Sequence, residues 1–283
     1  MFMKRKIIPL KTFNSSRVFL APMEEVNDIA FRILCKNAGA GLTYTPLTSP
    51  LSPQELHLED KPILQIFAND TKGIKEFMKK YDRKVSGWDL NLGCPAKTAK
   101  KHGYGSYLTD LEKIERIISL MRKNTKKTLS MKIRKSFLSY DLLKLAEKYC
   151  DYISIHPRTR SQGYSGEPDI EWAKKFKEKS KLPVIYSGDI NEKNYKKILE
   201  IFDYAMIGRN AIGHPEIFSK ISEISFKRNF KDYLVLAKKY NLYWRNIKFQ
   251  AMQFTKGNKN SRKRRLEIVK AQNLEELMSI FKD

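Results

Sequence analysis

Cys94 stands in Asn91-Leu92-Gly93-Cys94-Pro95, on a loop made compact by its glycine and proline. A thiol with an ordinary pKa of about 8.5 is mostly protonated at neutral pH, so it can donate a proton or, once ionised, attack as a nucleophile. Other polar groups fall into a shared rhythm. Gln65 sits between Leu64 and Ile66, and Asp89 and Asn91 alternate with Leu90 and Leu92. Ser130, Lys132 and Arg134 alternate with Met131 and Ile133, and Ser154 and His156 with Ile153 and Ile155. An acid, a cation and an imidazole gathered in one place suit proton transfer to, and stabilisation of, a developing anion. Ser187-Gly188-Asp189 and Gly208-Arg209-Asn210 are turns whose small residues let backbone N–H groups approach a phosphate, with Arg209 able to add a charge-assisted fork. Taken singly, each has a plain alternative: a lysine in an ion pair, a core histidine, a glycine that a turn needs anyway. Cys35 and Cys150 lie in helix-like segments and read as core residues.

These residues need a scaffold that brings strand ends together. Short apolar runs alternate with amphipathic segments up to residue 217, a βαβα rhythm that predicts a parallel sheet covered by helices. Eight strands are predicted: Val18–Met23, Leu42–Pro46, Ile63–Phe67, Trp88–Leu92, Leu129–Arg134, Tyr152–Pro157, Pro183–Asp189 and Tyr204–Asn210. Ile74, Phe77, Met78 and Tyr81 mark one intervening helix, and Tyr195, Ile198, Leu199 and Phe202 another, with Asn191 as its N-cap. Eight β/α units in about 200 residues fit a (β/α)8 TIM barrel, and no G-x-G-x-x-G follows the first strand to favour a Rossmann sheet. In a barrel the polar phase points inward, and its residues near strand C-terminal ends occupy the active-site face.

From Phe218 the pattern turns helical, with Tyr233, Leu236, Ala237 and Tyr240 first and Leu274, Leu277, Met278 and Phe281 last, so residues 1–217 and 218–283 read as a barrel and a small helical domain. The whole chain has 55 Lys and Arg against 31 Asp and Glu, a formal +24, and 16 against 6 fall in the last 66 residues. Such a field attracts polyanions, nucleic acid first, although Lys-rich surfaces also accompany adaptation to heat or salt. The run Lys256, Lys259, Arg262, Lys263, Arg264, Arg265, with Gly257 and Asn258 as loop formers, suits a phosphate backbone. The three cysteines lack the spacing of a zinc site or a disulfide framework, so no metal is expected. No apolar run is long enough to cross a bilayer, and Met1–Leu10 lacks a signal-peptide core, so a cytoplasmic protein without membrane association is expected.

With these residues in view, the chain resembles the tRNA-dihydrouridine synthases over almost the whole barrel. The resemblance rests on Ala21-Pro22-Met23-Glu24, Gln65-Ile66, Asn91-Leu92-Gly93-Cys94-Pro95, Gly103-Tyr104-Gly105-Ser106, Met131-Lys132-Ile133-Arg134, His156-Pro157-Arg158-Thr159-Arg160, Ser187-Gly188-Asp189-Ile190 and Gly208-Arg209. It implies FMN at the barrel mouth, NADPH as the electron donor, and hydride transfer to C6 of a tRNA uridine with Cys94 protonating C5. It places Pro22, Met23, Glu24, Gln65, Lys132 and His156 around the flavin, and Ser187, Gly188, Asp189, Gly208 and Arg209 around its phosphate. Asn91 would hold the base edge and inward Arg134 would contact the substrate, with Arg158, Arg160, Lys97, Lys100 and Lys101 toward the RNA at the rim and the C-terminal helices holding tRNA. Ser187, Pro157 and Glu25 stand where many relatives have Asn, Gly and Gly. Two other readings stay open: a flavin barrel acting on a small molecule such as a free pyrimidine or dihydroorotate, and a non-catalytic RNA-binding protein.

Overall fold

A computed structural model describes residues 16–52, 55–227, 229–257 and 260–281; Met1–Leu10, Asn258 and Lys259 lie outside the described residues. Seven parallel strands form one sheet: β1 (Val18–Leu20), β2 (Ile63–Ile66), β3 (Gly87–Leu92), β4 (Thr128–Arg134), β5 (Tyr152–His156), β6 (Val184–Tyr186) and β7 (Tyr204–Ile207), in the order β1-β7-β6-β5-β4-β3-β2. The predicted second strand is an irregular segment that closes the ring. On one side Gly41 N donates to Val18 O and Leu20 N to Leu42 O, both at 2.9 Å; on the other Thr45 N donates to Ile63 O at 3.0 Å and Ile63 N to Thr43 O at 2.9 Å. Asn27 ties this segment to the turn after β1, donating to Ala21 O at 2.7 Å and Tyr44 O at 2.8 Å. The fold is the (β/α)8 barrel.

Three strands, β1, β6 and β7, end three residues earlier than predicted, because their last residues leave the ladder to line the mouth. Pro22 has no N–H to continue β1, Asp189 has φ 49, and Gly208 begins a 3-10 turn over Arg209–Ala211. Strand phase follows the expected alternation. Phe19, Leu42, Tyr44, Ile63, Tyr152, Ile185 and Met206 form an apolar plug inside the ring. Leu64, Trp88, Leu90, Met131, Ile133, Ile153 and Ile155 pack outward beneath the helices. Above the plug the inward positions are polar.

The helices are α1 (Ile29–Asn37), α2 (Ile74–Tyr81), α3 (Lys97–His102), α4 (Leu111–Lys123), α5 (Ser139–Tyr149), α6 (Ile170–Lys179), α7 (Tyr195–Ile201), α8 (Ile217–Ser222), α9 (Phe230–Lys239), α10 (Trp244–Phe254), α11 (Ser261–Lys270) and α12 (Leu274–Ile280). The buried face of α2 is Ile74, Phe77, Met78 and Tyr81, as its spacing predicts. Asn194, not Asn191, takes the cap position of α7; Asn191 accepts from Lys193 N at 2.8 Å and Asn194 N at 3.2 Å, closing a turn before the helix. Helix α8 straddles the expected boundary at residue 217. The tail helices dock on α1: Tyr233 Oη donates to Asp28 Oδ2 at 3.0 Å, and Gln250 Nε2 donates to Val26 O at 2.6 Å and Asp28 Oδ2 at 3.2 Å. Among the described residues, no helix is long and apolar enough to cross a membrane.

Candidate active site

The C-terminal ends of the strands surround two adjoining cavities. One, of ≈ 320 Å³, is lined by Gln65, Asn91, Cys94, Lys132 and His156 together with Glu24 and Arg134. The other, of ≈ 420 Å³, reaches Ser187, Gly188, Asp189, Gly208 and Arg209. Pro22, Met23, Lys132, His156, Tyr164 and Arg209 line both. Gln65, Asn91, Lys132 and His156, singled out by strand phase, therefore meet the loop residue Cys94 at one recess.

Cys94 follows β3 on a loop clamped from both sides. Asn91 Oδ1 accepts from Gly93 N at 3.1 Å and Cys94 N at 3.0 Å. Cys94 O accepts from Ser106 N at 3.1 Å and Ser106 Oγ at 2.9 Å. The close approach explains Gly105, whose φ is 56 and whose Cβ, were there one, would lie 2.8 Å from Cys94 O. Burial pushes the Cys94 thiol up; the Ala96 N–H opposes it, Glu24 adds to it, and Lys132 and Arg134 oppose it. The thiol is thereby kept protonated at neutral pH. Partial burial, then Glu25, also pushes the exposed Glu24 carboxyl up.

Lys132 projects from β4 into both cavities, and its Nζ has no hydrogen-bond partner among the described residues. Burial and then Arg134 push its pKa down to about 8, against the pull of Asp89 and Cys94. Half-buried cations rarely stand unpaired, so the position suits an anionic or electron-rich guest. His156 is driven down to about 2 by burial and by Lys132, Arg134, Arg158 and Arg209, and is neutral. Its Nε2 lies 3.4 Å from an Arg158 nitrogen that can only donate, which leaves the ring proton on Nδ1.

At the far end, the backbone N–H groups of Gly188, Asp189, Gly208 and Arg209 find no protein acceptor among the described residues, while Ser187 N donates to Ile155 O at 2.9 Å. The Asp189 carboxylate bridges Arg158 and Arg209, and these two hold it below the ordinary carboxylate value against the upward push of burial.

The rim differs from expectation at its arginines. Arg158 is 1% exposed rather than at the surface: its guanidinium donates to Ser165 O at 3.2 Å, to Gly166 O at 2.6 Å and to Asp189, which replace the water it loses. Arg134, also buried, donates to Gly93 O at 3.1 Å and Gly163 O at 2.6 Å, joining the Cys94 loop to the loop after β5. Arg160 donates to Ser106 O at 3.1 Å and lies over the Tyr107 ring at 4.5 Å. Lys97, Lys100 and Lys101 are exposed on α3, just beyond Cys94.

A family model described as Dihydrouridine synthase (Dus) matches residues 19–281. The chain belongs to this family. A probable tRNA-dihydrouridine synthase of Helicobacter pylori (strain ATCC 700392 / 26695) is 33% identical over 233 residues, 74% of this chain and 70% of its own. tRNA-dihydrouridine synthase B of Pasteurella multocida is 31% identical, over 72% of this chain and 68% of its own. A probable tRNA-dihydrouridine synthase of Aquifex aeolicus is 29% identical and aligns over 94% and 95%. Among solved structures, morphinone reductase in complex with tetrahydroNAD superposes with a TM-score of 0.52 at 11% identity, covering 78% of this chain and 90% of that one. A 2-naphthoyl-CoA reductase complex gives 0.55 at 13%, covering 73% and 49%. At such identities the likeness is one of fold.

Two further features shape the surroundings of the recess. Glu25 adopts φ 57, a conformation that disfavours a side chain, and its carboxylate takes Arg245 Nη2 at 2.8 Å. Tyr164, which strand phase does not reveal, borders both cavities, with Arg209 at 5.0 Å and Arg134 at 5.5 Å over its ring. Its only sequence signal is an aromatic residue in a loop between Gly163 and Gly166, both at positive φ.

Proposed function

We propose that this dihydrouridine synthase reduces specific uridines of tRNA to 5,6-dihydrouridine, with FMN as cofactor and NADPH as electron donor. The observation that carries the reading is the convergence of Gln65, Asn91, Cys94, Lys132 and His156 on one recess. Two further features fit a flavin mononucleotide. The joined cavities have the size of small-molecule sites, which run from about 300 to 1,000 Å³, and an unpaired Lys132 lies where the two meet. Free N–H groups at Gly188, Asp189, Gly208 and Arg209 suit a phosphate, with Asp189 neutralised by its two arginines. Pro22, Met23, Glu24, Gln65, Lys132 and His156 would hold the ring system, and Ser187 to Asp189 with Gly208 and Arg209 the phosphate.

When bound, the reduced flavin supplies hydride for C6 of the uracil. Cys94 holds the proton destined for C5, and its raised pKa keeps that proton in place at neutral pH. Lys132 offsets negative charge that builds as C6 is reduced. Asn91 presents an amide N–H to the base edge, and neutral His156 adds a donor without a competing charge. A uridine within folded tRNA must leave its stack, at a cost of a few kcal/mol, and phosphate contacts offset it. Lys97 and Lys100 near the mouth, and residues 218–283 as a tRNA-binding unit beside the catalytic unit of residues 1–217, are assigned that work.

The test is mass spectrometry of unmodified tRNA incubated with the flavin-loaded chain and NADPH. A gain of about 2 Da at a defined uridine, one hydride and one proton, is expected. Reduction of free uracil with tRNA left untouched would replace the reading with a small-molecule reductase.

A further inference from the structure

Asp89 is a fully buried carboxylate on β3, and no step of the proposed reaction uses it. It sits one inward position below Asn91 and heads a continuous chain. Gln65 Nε2 donates to Asp89 Oδ2 at 2.6 Å, and Asn91 Nδ2 donates to Gln65 Oε1 at 2.7 Å. Asn91 Oδ1 in turn accepts from Cys94 N at 3.0 Å. Side-chain amides can usually be turned either way round, so their hydrogen-bond sense must be inferred. Here both ends are unambiguous, since an ionised carboxylate only accepts and a backbone N–H only donates. The charge at one end and the Cys94 loop at the other impose the same direction on both amides.

We propose that Asp89 is a positioning residue for Cys94, its carboxylate fixing the donor-to-acceptor sense of the Gln65–Asn91 chain and so holding the Cys94 loop in its working stance. A reversed Asn91 would face the Cys94 N–H with its own NH2, donor against donor, and the loop would lose its inner clamp. The same sense also determines that Gln65 and Asn91 have N–H groups left over for the recess. Ser130 Oγ donates to the other Asp89 oxygen, and Lys132, Tyr44 and Tyr152 are the remaining titratable groups that face it. The acidity of Cys94 itself is governed by burial, the Ala96 N–H, Glu24, Lys132 and Arg134, so loop stance and thiol acidity are separable.

The inference rests on the proposed role of Cys94, but its test does not require turnover. Cys94 is the half-exposed cysteine, whereas Cys35 and Cys150 are buried. Its reaction with 4,4′-dithiodipyridine can be followed by peptide mass spectrometry in the purified full chain from pH 5 to 8. The ratio of the Asp89→Asn rate to the wild-type rate cancels the reagent's own pH dependence. Burial raises the Asp89 pKa to about 6, so the wild-type carboxylate is charged above that pH and protonated below it. The expected ratio is at least fivefold above pH 7 and falls toward one near pH 5, where the wild type has lost the same charge. A ratio within twofold of one throughout overturns the proposal, as does a ratio that stays high at pH 5. If Asp89→Asn does not fold, Ser130→Ala serves: it removes a donor that lowers the Asp89 pKa, so faster reaction than wild type is expected only in a window just above pH 6, and no such window overturns the proposal. A wild type that shows this pattern but forms no dihydrouridine defeats the proposed function and leaves the positioning role intact.

Discussion

In the proposed reaction Cys94 is the proton donor, and its surroundings suit that role. Burial raises its pKa, and the flanking clamps from Asn91 and Ser106 fix where the proton is offered. A positioned proton donor contributes roughly 10²- to 10⁴-fold. Cys94→Ala is therefore expected to lower kcat on tRNA by about 10²-fold or more while the bound flavin absorbance stays at wild-type level, as nucleoside mass spectrometry and a visible spectrum would check. Lys132 gives a second, pH-dependent prediction. It is charged below a pKa of about 8 and neutral above it, so the stabilisation of developing negative charge proposed for it would be present at low pH and lost as pH rises through 8. The kcat profile should fall through that region, and Lys132→Gln should lower the plateau and abolish this inflection. A profile that keeps the inflection in the variant would assign it to another group.

At the scale of elements, the inward and outward strand positions were legible because side chains alternate with period two and one face must be apolar. That logic put Gln65, Asn91, Lys132 and His156 at one end of the ring with no tertiary information, and the periodicity of residues 74–81 identified the buried face of α2 in the same way. It failed where tertiary contacts decide. The predicted second strand does close the ring, with Leu42 and Tyr44 in the inward phase, but as an irregular segment held by backbone groups, and Arg158 is buried because its own loop, at Ser165 and Gly166, and Asp189 satisfy its guanidinium. Tyr164 owes its place to Arg134 on β4 and to Arg209 in the turn after β7, and the capping preference of Asn191 was real but expressed three residues too early, in a turn. The closing segment carries its own prediction. A Cβ on Gly41 would sit 2.1 Å from the Ser16 carbonyl oxygen, which is backbone and unable to rotate away. Gly41→Ala is expected to cost about 2 kcal/mol, the usual scale for overpacking. That corresponds to a fall in Tm of roughly 4–8 °C by calorimetry; an unchanged Tm would mean that the closure gives way without cost.

For the whole molecule, two facts about the tail have to be reconciled: it carries a surplus of ten positive charges, and its buried contacts with the barrel are made by uncharged groups around the Asp28 carboxylate, with the Arg245–Glu25 pair exposed beside them. Tyr233 and Gln250 hold Asp28 and the Val26 carbonyl, while within the tail Phe230 packs against Phe281 with ring centres 4.2 Å apart. The cations are consequently left on the outer faces, where Arg262 and Lys263 are exposed on α11 while Arg265 turns back to Thr255 at 2.9 Å. A rigidly docked, outward-charged tail can set the angle of a long polyanion over the mouth, whereas a loosely tethered one could only raise its local concentration. Each phosphate neutralised releases condensed counterion, so affinity falls with salt in proportion to the contacts made. Replacing Arg262 and Lys263 by Gln should weaken tRNA binding and reduce the slope of log K against log salt by about 2. Flavin content and the rate of flavin reduction by NADPH should stay unchanged, since neither residue is near the recess. Filter binding across a salt series separates the outcomes: a slope that does not move would show that these charges are solvated and that the tRNA lies on another face.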